Sequence, residues 1–371
     1  MVNMGELFGN DFIGLQEMER IDLSEAELDR SELRHGDLLF GRRSLVEAGA
    51  GKCSLVVEPP QRLTFESSII RVRLRQDRAS PRFFHYYFGS PQGRGLVRTI
   101  VSGVTVKGIR ASDLARLGVG VPPLHIQERI ANLLEVYDDL IDNNRRRIKL
   151  LEDSVRLLFD EWFVRLRASD WPAFTLQQLC VDDSGIQTGP FGSQLHQADY
   201  SEEGVPVVMP KDLATMRIDT QTVARIPEHL ADELGRHRMQ RGDIVFGRRG
   251  EMGRRAYIGQ RQVGYFCGTG CLRLRADAGR VHPRFLFEML RAPAVAGDIA
   301  NRAKGSTMAN LSAGALQGVT MPVPPRDLQD RFAAFAEEVG EQIDTLDEQS
   351  RKLRTARDLL LPRLMSGELS V

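Results

Sequence analysis

The strongest constraint on how this chain can fold is that its sequence occurs twice. Gly36 to Arg43, GDLLFGRR, returns as GDIVFGRR from Gly242 to Arg249, 206 residues further on. Beyond that point the spacing settles at 202. Ser80 to Phe84 (SPRFF) then matches His282 to Leu286 (HPRFL), and Gly103-Val104-Thr105 matches Gly305-Ser306-Thr307. VPPLHIQERI, from Val121 to Ile130, matches VPPRDLQDRF, from Val323 to Phe332, and Ile141-Asp142 matches Ile343-Asp344. Matches that keep one order with a single four-residue change of length describe two copies of one unit, and such a period has to be found before any local assignment is made.

Each copy has the same internal order. Short runs with strand character, DLLFG, IIRVRL, DIVFG and CLRLRA, come first, separated by turn residues. A Pro-Pro pair then stops the globular part and opens a long helix, where the missing N–H of proline costs nothing. In the first tail Leu134, Tyr137, Ile141, Asn144, Ile148, Leu151, Val155, Leu158 and Trp162 keep the 3-4 spacing of a coiled-coil seam. At 1.5 Å per residue that seam runs for roughly 40 Å. The second tail repeats it with Val339, Ile343, Leu346, Leu353, Leu360 and Leu364, interrupted by Ser350 and Arg357. Neither stripe is buried by its own helix, so the tails are expected to pair with each other, antiparallel; the competing arrangement packs each tail on its own head.

The copies are not equal at their starts. Val2 to Leu7 aligns with Val208 to Leu213, so Trp171 to Val207 has no counterpart before it and the first head is expected to be incomplete at its N-terminus. The expected divisions are a first head over 1–122, a central helix over 123–168, a second head over 169–323 and a final helix over 324–371.

Net charge is zero, which taken alone argues against a polyanionic partner, but the charge is segregated. Arg34 to Arg110 holds 14 basic and 5 acidic residues, and Arg236 to Lys304 holds 15 and 5. Residues 124–170 hold 8 and 10, and residues 326–371 hold 7 and 10. Two basic heads therefore alternate with two acidic tails. No apolar run reaches the roughly 20 residues of a membrane span, and the N-terminus has no signal-peptide pattern, so the chain is expected to be cytoplasmic with no membrane partner.

Catalytic and metal chemistry find no support in the residues. Of the four cysteines, Cys53, Cys180, Cys267 and Cys271, only the last two are close, with no second pair and no histidine cluster, so they read as small buried residues and no metal is expected. Gly49-Ala50-Gly51-Lys52 lacks the full phosphate-loop spacing and is followed by Cys53 where a hydroxyl is needed, so it reads as a flexible loop. No glycine-rich cofactor loop or proline-aromatic methylating motif is present, and no cofactor is expected.

The repeated hairpins, Pro122-Pro123 with Gln127 and Arg129, Pro324-Pro325 with Gln329 and Arg331, TGPFGSQL from Thr188 to Leu195, and LLLPRLMSGEL from Leu359 to Leu369 together resemble the specificity subunits of type I restriction-modification systems over essentially the whole chain. The resemblance implies an α+β protein with two α/β target-recognition domains in tandem, joined by two long helices forming an antiparallel coiled coil. It further implies a non-catalytic subunit that reads a bipartite, asymmetric site on double-stranded DNA, one half per head, and assembles with methyltransferase (M) and restriction or translocase (R) subunits. The alternative is an assembly scaffold whose degenerate heads no longer read DNA.

A DNA reader needs mobile cations for phosphates and a few rigid donors for base edges. The expected DNA-binding residues are Arg42, Arg43, Lys107, Arg248, Arg249, Arg254, Arg255 and Lys304, the alternative for the arginine pairs being a solvated hairpin face. The expected helix-pairing residues are Leu134, Tyr137, Ile141, Ile148, Leu151, Val339, Ile343, Leu346, Leu353 and Leu360. Gly36, Asp37, Gly242 and Asp243 read as hairpin-shaping residues. Phe83, Phe84, Tyr86, Tyr87, Phe285 and Phe287 read as core rather than as stacking platforms.

Overall fold

A computed structural model describes residues 1–371 apart from Leu15, Pro60, 167–169, Asp183, Ser193, Thr215, Thr222, 249–252 and 304–309. The chain divides into two compact units, Met1–Arg145 with Glu348–Val371, and Arg146–Asp347. The first contains strands β1 (Phe12–Ile13), β2 (Leu38–Gly41), β3 (Arg43–Ser44), β4 (Cys53–Val56), β5 (Ile69–Val72) and β6 (Lys107–Gly108). Its helices are α1 (Met4–Gly9), α2 (Glu25–Ser31), α3 (Pro81–Gly89), α4 (Pro91–Arg98), α5 (Ala111–Leu114) and the start of α6 (Leu124–Phe159).

The second unit contains β7 (Ala173–Thr175), β8 (Ile186–Thr188), β9 (Val205–Val208), β10 (Leu213–Ala214), β11 (Arg217–Ile218), β12 (Ala224–Ile226), β13 (Ile244–Gly247), β14 (Arg255–Tyr257), β15 (Phe266–Cys267), β16 (Cys271–Leu274) and β17 (Thr320–Pro322). Its helices, after the end of α6, are α7 (Leu176–Leu179), α8 (Glu228–Glu233), α9 (Pro283–Met289), α10 (Pro293–Arg302), α11 (Ala313–Gln317) and the start of α12 (Arg326–Met365).

The first unit's main sheet has the order β1-β4-β2-β5, and the second's has β14-β13-β16-β8. The repeat is conserved at the level of register. Leu38 faces Leu55 and Val72 in the first sheet, and Ile244 faces Tyr257 and Leu274 in the second. Val2 bridges Phe65 in parallel, as Val208 pairs with Cys267. The sheets differ at both edges: β1 lies beside β4 whereas no strand among the described residues lies beyond β14, and β8 lies beside β16 whereas none lies beyond β5. Leu272, Arg273 and Leu274 are accordingly buried, while Ile70, Arg71 and Val72 are only half-buried.

Three sequence signals explain how each head is fastened. Gly36 and Gly242 take φ of +88° and +89°, which a side chain would oppose, and each precedes a buried aspartate. Asp37 accepts two bonds of 2.7 Å from the Arg73 guanidinium and one from the Arg34 amide; Asp243 accepts the same set from Arg275 and the Gln240 amide. The Gly-Asp pairs thus shape the turns that enter β2 and β13 rather than a hairpin loop, and Arg73 and Arg275 are each held by a buried carboxylate.

The glutamine of the Pro-Pro motif is the third device. Buried Gln127 accepts from the Ser80 amide at 3.0 Å and donates to the Pro122 carbonyl at 2.9 Å. Buried Gln329 accepts from the His282 amide at 2.8 Å and donates to the Pro324 carbonyl at 2.8 Å. Ser80 and His282 are the N-caps of α3 and α9, so one side chain locks the head's aromatic helix to the start of the long helix.

The long helices pair within each unit. In the first, Ile130, Ala131 and Leu134 of α6 share a core with Leu364 and with Phe83, Phe84 and Tyr86 of α3, and Leu360 packs against it. In the second, Ile148, Val155 and Phe159 share a core with Phe332, Val339, Ile343 and Leu346 of α12, with Leu151 against it. The start of α6 meets the end of α12 and its end meets the start of α12, so the pairing is antiparallel. Tyr137, Ile141 and Leu353 are half-buried. The helices also pack on the heads, so the two arrangements weighed from sequence coexist. The expected Phe83, Phe84, Tyr86, Phe285 and Phe287 are buried, and Tyr87 packs against the first unit's core.

The seam departs from the expected heptad at one end. Phe159 and Phe163, not Leu158 and Trp162, are buried after Val155. Steps of four replace the 3-4 alternation there, as a helix of 3.6 residues per turn demands when it is not supercoiled, and Asp160–Arg165 widens into a π turn. Phe163 is drawn inward by Phe285, Phe159 and Phe332, whose ring centroids lie 4.9, 5.0 and 5.3 Å away. The interruptions are accommodated: Ser350 and Asn144 are buried, and Arg357 pairs with Asp138, which also accepts from the Tyr86 hydroxyl at 2.6 Å.

Replacing Gln329 by Leu removes both bonds of that clamp and leaves the His282 amide and Pro324 carbonyl without it. The second unit is expected to lose about 2 to 3 kcal/mol, read as a lowered urea midpoint; an unchanged midpoint would show that the clamp contributes nothing.

Candidate nucleic-acid interface

The distribution of ion pairs separates the cations that hold the fold from those that remain available. In the first unit Arg62 pairs with Glu25, Asp29 and Glu32, Arg73 with Asp37, Arg82 with Glu135, and Arg98 with Glu47. Arg42, Arg43, Lys107 and Arg110 have no carboxylate partner among the described residues. Arg42, Arg43 and Arg110 are exposed and Lys107 is half-buried.

These cations are brought together by a small ribbon. β3 leaves the end of β2 and pairs antiparallel with β6, Arg43 opposite Gly108 and Ser44 opposite Lys107. The Ile109 amide donates to the Arg42 carbonyl at 3.0 Å, and Arg42 Nη1 reaches the Ser67 carbonyl at 3.5 Å. Sequence spacing gave no hint that Lys107, more than sixty residues downstream, lies beside Arg43. Residues 102–108 form a tight turn closed by reciprocal Ser102 and Gly108 backbone bonds of 2.9 and 2.8 Å. Gly103 sits there at φ +107°, and a Cβ would come within 2.1 Å of the Val106 carbonyl oxygen. Gly103-Val104-Thr105 therefore closes a turn, with Thr105 exposed on it, whereas Gly305-Ser306-Thr307 lies outside the described residues.

The second unit keeps the same anchor. Leu311 donates its amide to the Arg248 carbonyl at 3.0 Å, the counterpart of Ile109 and Arg42, and Arg248 Nε donates back to the Leu311 carbonyl at 3.0 Å. Arg248 is half-buried as a result, and Arg254 is exposed. Arg249 and Lys304 lie outside the described residues. Arg255 corrects the expectation that it extends an exposed cluster: it is 3% exposed on β14, opposite Phe246, with its guanidinium 5.7 Å over that ring. Burial pushes its pKa down to about 10. Its place on the inward face of a strand removes it from any solvent-facing site.

Lys52 is a second correction. Far from a flexible loop, Ala50 and Gly51 are buried, and Lys52 Nζ donates to the Phe8 carbonyl at 2.7 Å and lies 3.5 Å from Asp11. The four cysteines are free and buried, and burial raises each thiol. Among the described residues no cluster of histidine, cysteine and carboxylate side chains can hold a metal ion, and no helix is long and apolar enough to cross a membrane.

A duplicated α/β head carrying cations at the end of its central strand, with the two copies joined by antiparallel-paired helices, defines a tandem binding protein. The family model for the type I restriction modification DNA specificity domain matches residues 24–153 and 170–354, and the chain belongs to this family. The MjaIX specificity subunit of a type I restriction enzyme from Methanocaldococcus jannaschii is 21% identical over 366 residues, covering 89% of this chain and 83% of the relative. The EcoKI specificity subunit from Escherichia coli is 32% identical over 144 residues, 36% of this chain and 31% of the relative. The fold is similar to the crystal structure of a type I restriction-modification S subunit from M. genitalium, with a TM-score of 0.61 at 18% identity over 95% of this chain and 88% of that one.

Replacing Gly103 by Ala must open the turn that carries Lys107. Amide hydrogen exchange at Ser102 and Gly108 is expected to accelerate at least about tenfold, the signature of a lost local opening barrier, with the β2 and β4 amides unchanged. Unchanged exchange at those two amides would mean that the turn tolerates a side chain.

Proposed function

We propose that this chain is the DNA-binding specificity subunit of a type I restriction-modification complex. It reads a bipartite, asymmetric duplex site, one half per head, the heads being 1–122 and 169–323, and it contributes no catalytic group of its own. The observation that carries this reading is the ribbon of Arg42, Arg43 and Lys107, whose charges are not neutralised within the described fold while neighbouring arginines are. Duplex DNA rewards such cations by releasing its condensed counterions. Arg248, Arg249, Arg254 and Lys304 are the corresponding candidates in the second head, with Arg248 restrained by Leu311.

Asymmetry of the site follows from differences between the heads. Lys107 aligns with Ala309, and nine residues separate Arg43 from Cys53 where five separate Arg249 from Arg255. The long helices supply the docking surface for the methyltransferase and restriction subunits. α6 leaves Leu133, Val136 and Leu140 exposed in the first unit and Leu150 and Leu157 exposed in the second, a stripe suited to helical partners. The working compartment is the cytoplasm, where the DNA and the partner subunits are.

Replacing Arg42, Arg43 and Lys107 together by Ala is expected to lower the slope of log affinity against log salt by about 2 to 3, since each phosphate contact contributes about 0.9. The full chain, with its methylating partners present, should lose one half of the selected sequence and keep the other. An unchanged slope and sequence preference would return the chain to the scaffold reading, in which the heads no longer read DNA.

A further inference from the structure

The first head holds a feature that phosphate binding does not explain. Leu45 is 83% exposed and Val104 is 94% exposed, with Val46 and Val106 also solvent-facing. Leu45 and Val46 follow Ser44 directly, and Val104 and Val106 lead into Lys107, so all four sit beyond the last paired residues of the β3 and β6 ribbon. Single exposed aliphatics are ordinary, but four at one ribbon tip form a patch that the fold does not cover.

The patch is also held in place. Gly103, at positive φ, and the Ser102 and Gly108 bonds fix the turn that presents Val104. Arg42, Arg43, Lys107 and Arg110, without carboxylate partners among the described residues, surround the base of the ribbon. A partner must therefore offer negative charge next to apolar surface. Duplex DNA does so in its major groove, which is about 12 Å wide, admits a two-stranded ribbon and displays the thymine C5-methyl group among its hydrogen-bonding edges.

The position is also where the two heads part company. The offset between the copies changes from 206 to 202 between Arg43 and Cys53, so the first head carries four more residues in the segment containing Leu45 and Val46. An element that varies in length beside a conserved pair of cations is placed to alter what is read without altering how the backbone is held.

We propose that the ribbon tip of the first head reads thymine in its half-site, Leu45 and Val104 packing against the C5-methyl group while Arg42, Arg43 and Lys107 hold the flanking phosphates. This inference rests on the DNA-reading function proposed above. It differs from that reading in naming the base and the apolar side chains that select it.

The test uses the full chain with its methylating partners and duplexes selected from a random pool. Each thymine of the selected sequence is replaced in turn by deoxyuridine, which removes only the methyl group. The unsubstituted protein is expected to bind about three- to fivefold more weakly at one or two positions of one half-site, the loss of one buried methyl. Leu45→Ser and Val104→Ser should abolish that penalty at those positions and leave the other half-site untouched. Arg43→Ala should weaken binding while preserving the penalty. A penalty unchanged in both serine variants, indifference to every methyl group, or a selected sequence with no thymine in that half overturns the proposal while leaving DNA reading intact. A chain that selects no sequence overturns both.

Discussion

Each unit is closed by helical segments drawn from distant parts of the chain. The start of α6 and the end of α12 complete the first core through Leu134 and Leu364, and the end of α6 and the start of α12 complete the second through Phe159 and Phe332. Only an antiparallel pairing can satisfy both cores at once. The seam therefore does more than join two heads: it supplies each with apolar surface that the head's own sheet lacks. Gln127 and Gln329 then fix where each helix starts relative to the head, by bonding the N-cap amide of the aromatic helix and the proline carbonyl of the long one.

Charge follows the same plan. The acidic character of the tails is spent on arginines of the adjoining head: Glu135 takes Arg82, and Glu337, the equivalent residue 202 positions on, takes Arg241 at 2.9 Å. Asp37 and Asp243 absorb Arg73 and Arg275 inside the sheets. Part of the basic surplus of each head is thus taken up within the fold, and among the cations without a carboxylate partner in the described residues Arg42, Arg43 and Lys107 meet on the β3 and β6 ribbon. A buried charge is tolerated only when paired and hydrogen-bonded, which is why the buried Asp37 carboxylate takes a bidentate bond from Arg73.

The duplication was legible because the same residues perform the same geometric tasks twice, and it carried the register of both sheets with it. The aromatic core helices followed from residue chemistry alone, whereas the Gly-Asp pairs shape the turns entering β2 and β13 and not the hairpin loop. Arg255 was misplaced because it lies just past the four-residue change of length, where alternation along a strand cannot be phased from the first copy. Phe159 was missed for Leu158 because a heptad extrapolated from Leu134 to Val155 says nothing of the π turn that follows. The glutamine clamp carried a visible signal, the repeated Pro-Pro-x-x-x-Gln, but its partners at Ser80 and His282 are 47 residues upstream and only the fold brings them near. Lys107 joined Arg43 in the same way, through strand pairing that no local pattern announces.

The central claim is that two heads of one chain hold two short stretches of duplex through cations the fold leaves available. Hydroxyl-radical footprinting of a selected duplex, with the methylating subunits bound, tests it most directly. Two protected tracts separated by an accessible spacer are predicted, with only one tract lost when the ribbon cations of the first head are removed. A single continuous tract, or two tracts that survive that change, would contradict the account.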